Sequence, residues 1–173
     1  MSYSNPCNIE VSSSKWLGSI PSKSRFVCFE HPVYGFRAAA LVLRSYFVRR
    51  KIFNLHDIIY TWAPPVENDS NTYFRFVAKE FSNDLGYIVC SSVDCAKILG
   101  AMTVMENTPA CLKNIHVAIT RFLDSYKSGS DRSVYDSAFS GCLRSFADIF
   151  SEYKPLSVRL FLDTINSVIE KHV

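Results

Sequence analysis

The sequence lacks the features that mark membrane-spanning, secreted and metal-binding proteins. Its 173 residues contain no apolar run near the roughly 18 residues that a membrane-spanning helix needs. The segment after Met1 has neither the positive nor the apolar region of a secretory signal peptide, so we expect none. The four histidines and six cysteines form no HExxH or CxxC pattern, and we predict neither a metal site nor a cofactor.

A large net charge is absent as well. The net charge of +3, from 19 basic and 16 acidic residues, gives no support for a nucleic-acid partner. In a chain without a signal peptide, the six cysteines are expected to be free thiols. The sequence is instead rich in apolar side chains, with 48% hydrophobic and 14% aromatic residues. This composition predicts a sizeable core and leaves aromatic rings to line a cleft.

The hydrophobic pattern predicts a mainly α protein with seven helices and a small strand region near the N-terminus. Residues 25–29 are rich in β-branched and aromatic side chains and predict a short strand. Apolar residues at helical spacing begin after Pro32 and continue to the C-terminus, interrupted by the linker-like residues 128–133. We predict one domain over 1–173, in which 110–173 form a helical layer that covers the core and supports the preceding helix.

Polar residues indicate where several of these helices begin. We predict that Asn54, Ser70 and Ser92 are N-caps, since each precedes a run of apolar residues at helical spacing. The helix that follows Ser92 is predicted to end at Glu106. Pro109 is then expected in the first turn of the next helix, where its missing N–H is no loss.

Glu106 has an unusual position for a carboxylate. It follows Met102 by four residues and Leu99 by seven, so it extends the apolar stripe of the predicted helix. An apolar environment disfavours the charged form of a carboxyl group, which is the property that a general acid needs near neutral pH. We therefore treat Glu106 as a candidate acid, with a solvated helix end as the alternative.

Four stretches in the first 107 residues resemble motifs that occur together in one group of proteins. The first stretch, Asn5–Ile9 with Trp16–Gly18, resembles the motif NPGNI followed by WxG, and the second, Phe26–Ala38, resembles GFxxFxxPxxGxRA. The third, Trp62–Tyr73, resembles WAPPxENDTxxY, and the fourth, Ala101–Asn107, resembles a helix that ends in HEN. These motifs are found in small virion-associated proteins of bacteriophages, a family that includes the muralytic protein of enveloped double-stranded-RNA phages. The resemblance identifies 1–109 as a family-like muralytic core.

The resemblance implies both a substrate and a fold. It implies peptidoglycan as the substrate and a lysozyme-like, or lytic-transglycosylase-like, helical domain. In such folds the helix that ends in the acid precedes the small strand region. Here the strand region comes first, so the resemblance implies a permuted order of elements. The chain departs from the family pattern at Cys7, Met105 and Thr108, where glycine, histidine and glycine are usual. The change at Met105 argues against a histidine-assisted role and leaves Glu106 in place.

Cleavage of a glycosidic bond requires a protonated group beside the leaving oxygen. We predict that Glu106 is this general acid, with Glu30 as the second choice. A two-carboxylate glycosidase would also need a partner for Glu106, for which Glu30 and Glu67 are candidates, whereas a lytic transglycosylase manages with one acid. The side chains predicted to bind substrate are Trp62, Tyr73, Asn68, Glu67, Trp16 and Asn8. The alternatives are core positions for Trp62 and Tyr73 and local capping for Glu67 and Asn68.

The function we predict is cleavage of the MurNAc–GlcNAc bond of peptidoglycan by a lytic transglycosylase or muramidase. The protein would be made in the host cytoplasm and carried in a phage virion with other virion proteins. It would act on the host cell wall, in the periplasm, when the phage enters the cell and again when it leaves. One alternative is a murein endopeptidase, for which Cys28 and His31 would supply the nucleophile and the base. Another is a non-catalytic virion structural protein that binds glycan or a shell partner.

Overall fold

A computed structural model describes residues 4–126 and 133–173, and seven α-helices lie within them. The helices are α1 (Pro32–Arg50), α2 (Leu55–Trp62), α3 (Ser70–Ala78), α4 (Ser92–Glu106), α5 (Pro109–Ser125), α6 (Ser133–Phe150) and α7 (Val158–Glu170), with a 3₁₀ turn at Lys79–Phe81. The prediction of a mainly α protein with seven helices is confirmed. The linker predicted at 128–133 lies outside the described residues, apart from Ser133 at the start of α6. No helix in the described ranges is both long and apolar enough to cross a membrane.

Before α1, the chain forms loops and a two-stranded sheet. Strands β1 (Ser19–Ile20) and β2 (Cys28–Phe29) are antiparallel, with Ser19 opposite Phe29. The small strand region near the N-terminus is therefore confirmed. The strand predicted over 25–29 is divided: residues 28–29 pair with β1, whereas Phe26 forms a single antiparallel bridge with Glu10.

The helix starts confirm one predicted N-cap and correct two. Asn54 caps α2, because its Oδ1 accepts two backbone N–H groups of the first turn. Helix α3 is capped by Asp69 rather than Ser70, and α4 by Ser91 rather than Ser92. In both cases the residue predicted as the cap belongs to the first turn, where its hydroxyl bonds elsewhere. Apolar spacing defines the buried face of a helix and does not distinguish two adjacent polar residues at its start.

Helix α4 lies at the centre of the helical packing, against α1, α3, α6 and α7. Gly100 lets α7 approach closely, because a Cβ at this position would lie 2.7 Å from the Cβ of Val168. The start of α4 is held as well, since the N–H and the hydroxyl of Ser92 both donate to Glu152, just after α6. The C-terminal helices therefore contact α4 at its start and its middle, and they position the helix that ends in Glu106.

Candidate functional site

Glu106 ends α4, and both of its carboxylate oxygens are hydrogen-bonded. The next residue, Asn107, has an extended backbone, so the helix stops here. Asn8 Nδ2 donates to Oε2 at 2.8 Å, and the Tyr73 hydroxyl donates to Oε1 at 3.0 Å. The side chain is half-buried and lines a cleft. Glu106 is therefore neither a freely solvated helix end nor a carboxylate sealed in the core. It is a fixed group that remains accessible from the cleft.

Tyr73 supports Glu106 from the core. The residue is 5% exposed. Burial raises the pKa of its hydroxyl well above the usual value, and the negative charge of Glu106 raises it further. The hydroxyl therefore stays protonated at neutral pH and remains a hydrogen-bond donor to Glu106. The structure places this predicted substrate-binding residue behind the carboxylate, in agreement with its alternative interpretation as a core aromatic.

Asn8 reaches Glu106 from an N-terminal loop with an uncommon backbone. Its φ of 52° lies in the left-handed region, which asparagine adopts more readily than most residues. The loop is pinned by Asn5, whose side-chain nitrogen donates to the Ile9 and Val27 carbonyls at 2.9 and 2.8 Å. Asn8, predicted to bind substrate, lines the cleft and also orients the candidate acid.

A further asparagine joins this loop to the end of α4. The side-chain nitrogen of Asn107 donates to the Pro6 carbonyl at 2.7 Å and to the Thr103 carbonyl at 2.8 Å. One amide hydrogen thus bonds within α4 and the other bonds across to the loop that carries Asn8. Neither Asn107 nor Asn5 is among the predicted site residues. Both asparagines fall inside the family-like motifs, and this position in the sequence is the signal that identifies them as candidates.

The buried thiol of Cys7 lies beside the same cluster. Burial raises the pKa of Cys7 to about 12; a hydrogen bond with Thr103 lowers it, and the charge of Glu106 raises it. The thiol is therefore neutral at physiological pH and does not provide a thiolate nucleophile. All six cysteines lie within the described residues, and each is a free thiol.

A cleft with a volume of about 920 Å³ opens beside Glu106. Its walls are the N-terminal loops, one face of α1 and the turn that follows α2. The cleft brings together most of the predicted site residues: Glu106, Asn8, Trp16, Trp62, Glu67 and Asn68. A concave site of this size is typical of clefts that bind small molecules or short segments of polymers.

Both tryptophans are half-buried and line the cleft. Trp62 is the last residue of α2, directly before the Ala-Pro-Pro turn. Trp16 lies in the loop before β1, and its buried Nε1 has no hydrogen-bond partner among the described residues. Each ring is therefore partly packed in the protein and partly open to the cleft, and ligand binding by the two tryptophans stays a prediction.

The predicted acidic and amide residues differ in how the structure uses them. Glu67 is exposed on the cleft turn and pairs with Arg25 at 3.3 Å. Asn68 Nδ2 donates to the Pro64 carbonyl of its own turn at 3.3 Å, and α3 is capped by Asp69 rather than by Asn68. Glu30 is exposed at the end of β2 and lies outside the cleft lining. The second choice for the acid is therefore not brought to the cleft that contains Glu106.

Of the two residues considered for peptidase chemistry, His31 has another role in the structure. The Nδ1 atom of His31 accepts the Val33 N–H at 3.2 Å and caps α1, so this nitrogen serves the helix start rather than a nucleophile at Cys28. Among the described residues, no three or more His, Cys, Asp or Glu side chains come together as a group that would hold a metal ion.

Comparison with known proteins gives one link to bacteriophages. No protein-family model matches the chain. The chain is similar to Protein P5 of Pseudoalteromonas phage PM2, with 38% identity over 81 residues, which cover 44% of this chain and 51% of the relative. The chain thus spans about half the length of the curated relative that it matches. The similarity links the chain to a bacteriophage protein, whose name states no activity.

Proposed function

We propose that this protein cleaves the MurNAc–GlcNAc glycosidic bond of peptidoglycan and that Glu106 is the general acid. The observation that carries the proposal is the setting of Glu106. Its carboxyl group lines a cleft of about 920 Å³ and is held there by Asn8 and Tyr73. The resemblance suggests the substrate, since all three residues of this cluster fall within family-like motifs.

The cluster suits proton donation to a leaving oxygen. A protonated Glu106 gives its proton to the glycosidic oxygen as the bond between that oxygen and the sugar carbon breaks. The carboxylate that remains accepts the hydrogen bonds from Asn8 and Tyr73, which stabilise the charge that develops during the transfer. The same two bonds restrict the orientations of the side chain, and a general acid needs this because it must lie about 2.6–3.2 Å from the oxygen it protonates.

The walls of the cleft suit a carbohydrate chain. Trp16 and Trp62 offer flat apolar surfaces against which the apolar faces of sugar rings pack. Asn8 and Asn68 add amide groups that donate to and accept from sugar hydroxyls. This combination of aromatic surface with a few polar groups provides affinity through the rings and orientation through the hydrogen bonds.

The positions of the other carboxylates favour a reaction with one acid. Glu30 lies outside the cleft lining, whereas Glu10 and Glu67 line the cleft but are exposed and both paired with Arg25. With one acid, the carboxylate that Glu106 has become takes the proton of the substrate's 6-hydroxyl while that oxygen attacks the sugar carbon, as in a lytic transglycosylase. The product is an anhydro-sugar, and Glu106 is protonated again. A muramidase with an inverting mechanism would instead need water activated by a second carboxylate about 6.5–9.5 Å from the first.

The contact between the N-terminal loops and the end of α4 supports a lysozyme-like domain with a permuted order of elements. In such folds the acid at a helix C-terminus lies beside a small strand region. Here Asn107 binds the Pro6 carbonyl, so the loop that precedes the strands reaches the acid although it comes first in the chain.

For the biological role, we propose that the protein is a virion component. The similarity to a phage protein supports this role. The protein would be carried with other virion proteins and would act on peptidoglycan of the host cell wall, in the periplasm, as the phage enters and again as it leaves. Mass spectrometry of purified particles tests the proposal, and particles that lack the protein would contradict it.

Replacement of Glu106 by glutamine tests the chemistry. Glu106→Gln keeps the shape and removes the proton, and its amide can still accept from Asn8. We expect digestion of purified sacculi to slow by about 10²-fold or more, the loss typical of removing a general acid. Glu30→Gln is the control and should retain most of the activity, because Glu30 lies outside the cleft lining. A fully active Glu106→Gln protein would exclude Glu106 as the acid.

The products released by the unmodified protein distinguish the alternatives. Mass spectrometry should find anhydro-muropeptides if the protein is a transglycosylase and new reducing ends if it is a muramidase. New termini of stem peptides would indicate an endopeptidase instead. Binding to sacculi without any product would favour the structural role.

A further inference from the structure

The two arginines that line the cleft differ in their surroundings. Arg25 bonds to Glu10 and lies 3.3 Å from Glu67, so two carboxylates neutralise it. Arg49 is exposed on α1 and forms no ion pair within the described residues. Its guanidinium group is therefore the cation of the cleft that is open to an incoming anion.

The charges give the cleft two unlike sides. Arg25 with its two carboxylates carries a net charge of −1, and Glu106 is a further acidic group of the cleft. An acidic substituent on a ligand is repelled by the net negative charge of Arg25, Glu10 and Glu67. The α1 wall has the opposite character. Arg49 lies four and eight residues after Ser45 and Leu41 on one helical face, and these three residues all line the cleft.

We propose that Arg49 binds a carboxylate of the stem peptide that a peptidoglycan strand carries, so that the cleft selects peptide-bearing glycan. This inference rests on the proposed function and names the part of the substrate that the α1 wall recognises. A guanidinium group binds a carboxylate through two parallel N–H···O bonds. In this arrangement the sugar rings pack against the tryptophans, and the peptide leaves the cleft along α1. The unequal charges of the two sides determine the direction in which the glycan strand binds.

Arg50 offers a matched control. It is the next residue of α1, it is also exposed, and it lies outside the cleft lining. Its guanidinium carbon lies 5.6 Å from the ring centroid of Tyr46. Arg49→Gln and Arg50→Gln therefore remove the same charge from the same helix, but only the first removes a charge from the cleft.

Equilibrium binding tests the proposal with and without catalysis. The ligands are a soluble peptidoglycan fragment with intact stem peptides and a chitin oligosaccharide of the same length, which has neither peptides nor the lactyl carboxylate that an amidase would leave on the glycan. Fluorescence reports binding directly, because the chain contains two tryptophans and both line the cleft. Titrations of the full-length protein in the Glu106→Gln background prevent cleavage during the measurement.

We expect Arg49→Gln to weaken binding of the peptide-bearing fragment by about three- to tenfold, as for a charge-assisted bond at a partly exposed site. Binding of the peptide-free fragment should not change, and Arg50→Gln should affect neither ligand. The effect of Arg49→Gln should also shrink as salt is added. Equal losses for Arg49→Gln and Arg50→Gln, or equal losses on both ligands, would overturn the proposal. If that result came with normal cleavage of sacculi, the proposed function would stand and only the role of Arg49 would be rejected. If the protein neither bound either fragment nor cleaved sacculi, the proposed function and the role of Arg49 would both be rejected.

Discussion

The chain up to Asn107 holds irregular backbone in place through side-chain hydrogen bonds, whereas helices α5, α6 and α7 are held mainly by apolar packing. In the first part, the amides of Asn5 and Asn107 bond to backbone carbonyls across loops. In the second part, Phe146 and Phe161 are completely buried, with ring centroids 6.4 Å apart. The residues of the candidate site all belong to the first part.

The two parts of the chain differ in what their contacts provide: hydrogen bonds position functional side chains in the first part, and apolar packing stabilises the fold in the second. Hydrogen bonds depend strongly on distance and angle, so they fix where a carboxylate points. Apolar burial depends on area and is not directional, so it supplies stability without specifying an angle. We therefore expect substitutions in the C-terminal helices to lower the free energy of unfolding and to leave the cleft intact. Substitutions among the hydrogen-bonded loops should change function more than stability.

The largest effect is expected for Phe161→Ala in α7. Loss of a fully buried aromatic ring should lower the free energy of unfolding by about 3–5 kcal/mol. Urea denaturation followed by circular dichroism measures the loss. Molecules that remain folded should bind glycan with unchanged affinity, because Phe161 is not part of the cleft.

Trp62→Ala is the comparison from the first part of the chain. Trp62 is only half-buried, so the loss of stability should be smaller than for Phe161→Ala, while glycan binding should weaken. If Phe161→Ala weakened binding more than Trp62→Ala, the proposed division between the two parts would fail.

The next effect is expected at Gly100. Gly100→Ala adds a Cβ that lies 2.7 Å from Val168 Cβ and 3.0 Å from the Ile165 carbonyl oxygen. Overpacking of this kind should destabilise the protein by about 1–3 kcal/mol, and thermal unfolding measures it. Gly141→Ala in α6 is the control. A Cβ there meets Arg144 at an ordinary 3.7 Å, so the better helix propensity of alanine should stabilise the protein by about 0.5–1 kcal/mol. If both substitutions raised the free energy of unfolding, the packing of α4 on α7 would not depend on this close approach.

A smaller effect is expected for Asn107→Asp. The change keeps the shape and removes both donors, so the Pro6 carbonyl loses its bond and the loop that carries Asn8 is released. We expect kcat on sacculi to fall by about tenfold and KM to rise by a smaller factor, because Asn8 both supports Glu106 and lines the cleft. Asn71→Asp on the exposed surface of α3 is the control. Equal kcat values for the two variants would contradict a positioning role for Asn107.

The smallest effect concerns two of the three buried thiols, Cys7 and Cys142, one in each part of the chain. Burial raises the pKa of Cys7 to about 12 and that of Cys142 to about 11 from the ordinary value of 9.0. In the unfolded chain each thiol loses its proton above pH 9, whereas in the folded chain it keeps it. The free energy of unfolding should therefore fall as the pH rises from 9 towards 11 and 12. Each thiol should contribute a loss of roughly 1 kcal/mol by pH 10.

Cys7→Ala and Cys142→Ala test this pH dependence separately. Urea denaturation at pH 8, 9 and 10 gives the slope of the unfolding free energy against pH. Each substitution should make the slope shallower by a similar amount, because burial is the first cause of the raised pKa in both parts of the chain. A slope that neither substitution changes would mean that the thiols titrate as they do in the unfolded chain.

Local sequence patterns were sufficient to predict the helices and the end of α4. Apolar spacing is a local property, so it predicted the buried faces of the helices and the helical class. Single residues with a local physical effect marked several boundaries, such as Asn54 before α2 and Pro109 at the start of α5. The prediction that Glu106 prolongs an apolar stripe placed it correctly as the last residue of α4. The errors at Ser70 and Ser92 arose where adjacent polar residues could both serve as caps.

The surroundings of Glu106, in contrast, depend on the tertiary structure. Asn8 and Tyr73 are 98 and 33 residues away along the chain, and no periodic pattern connects them to the carboxylate. The same holds for the bond from Asn107 to Pro6, and for the position of Glu30 outside the cleft lining. Hydrogen bonds between distant residues form only after packing has brought the elements together, and their geometry depends on that packing rather than on any local preference. The packing of α4 between α1, α3, α6 and α7 therefore decides that its last residue faces a cleft.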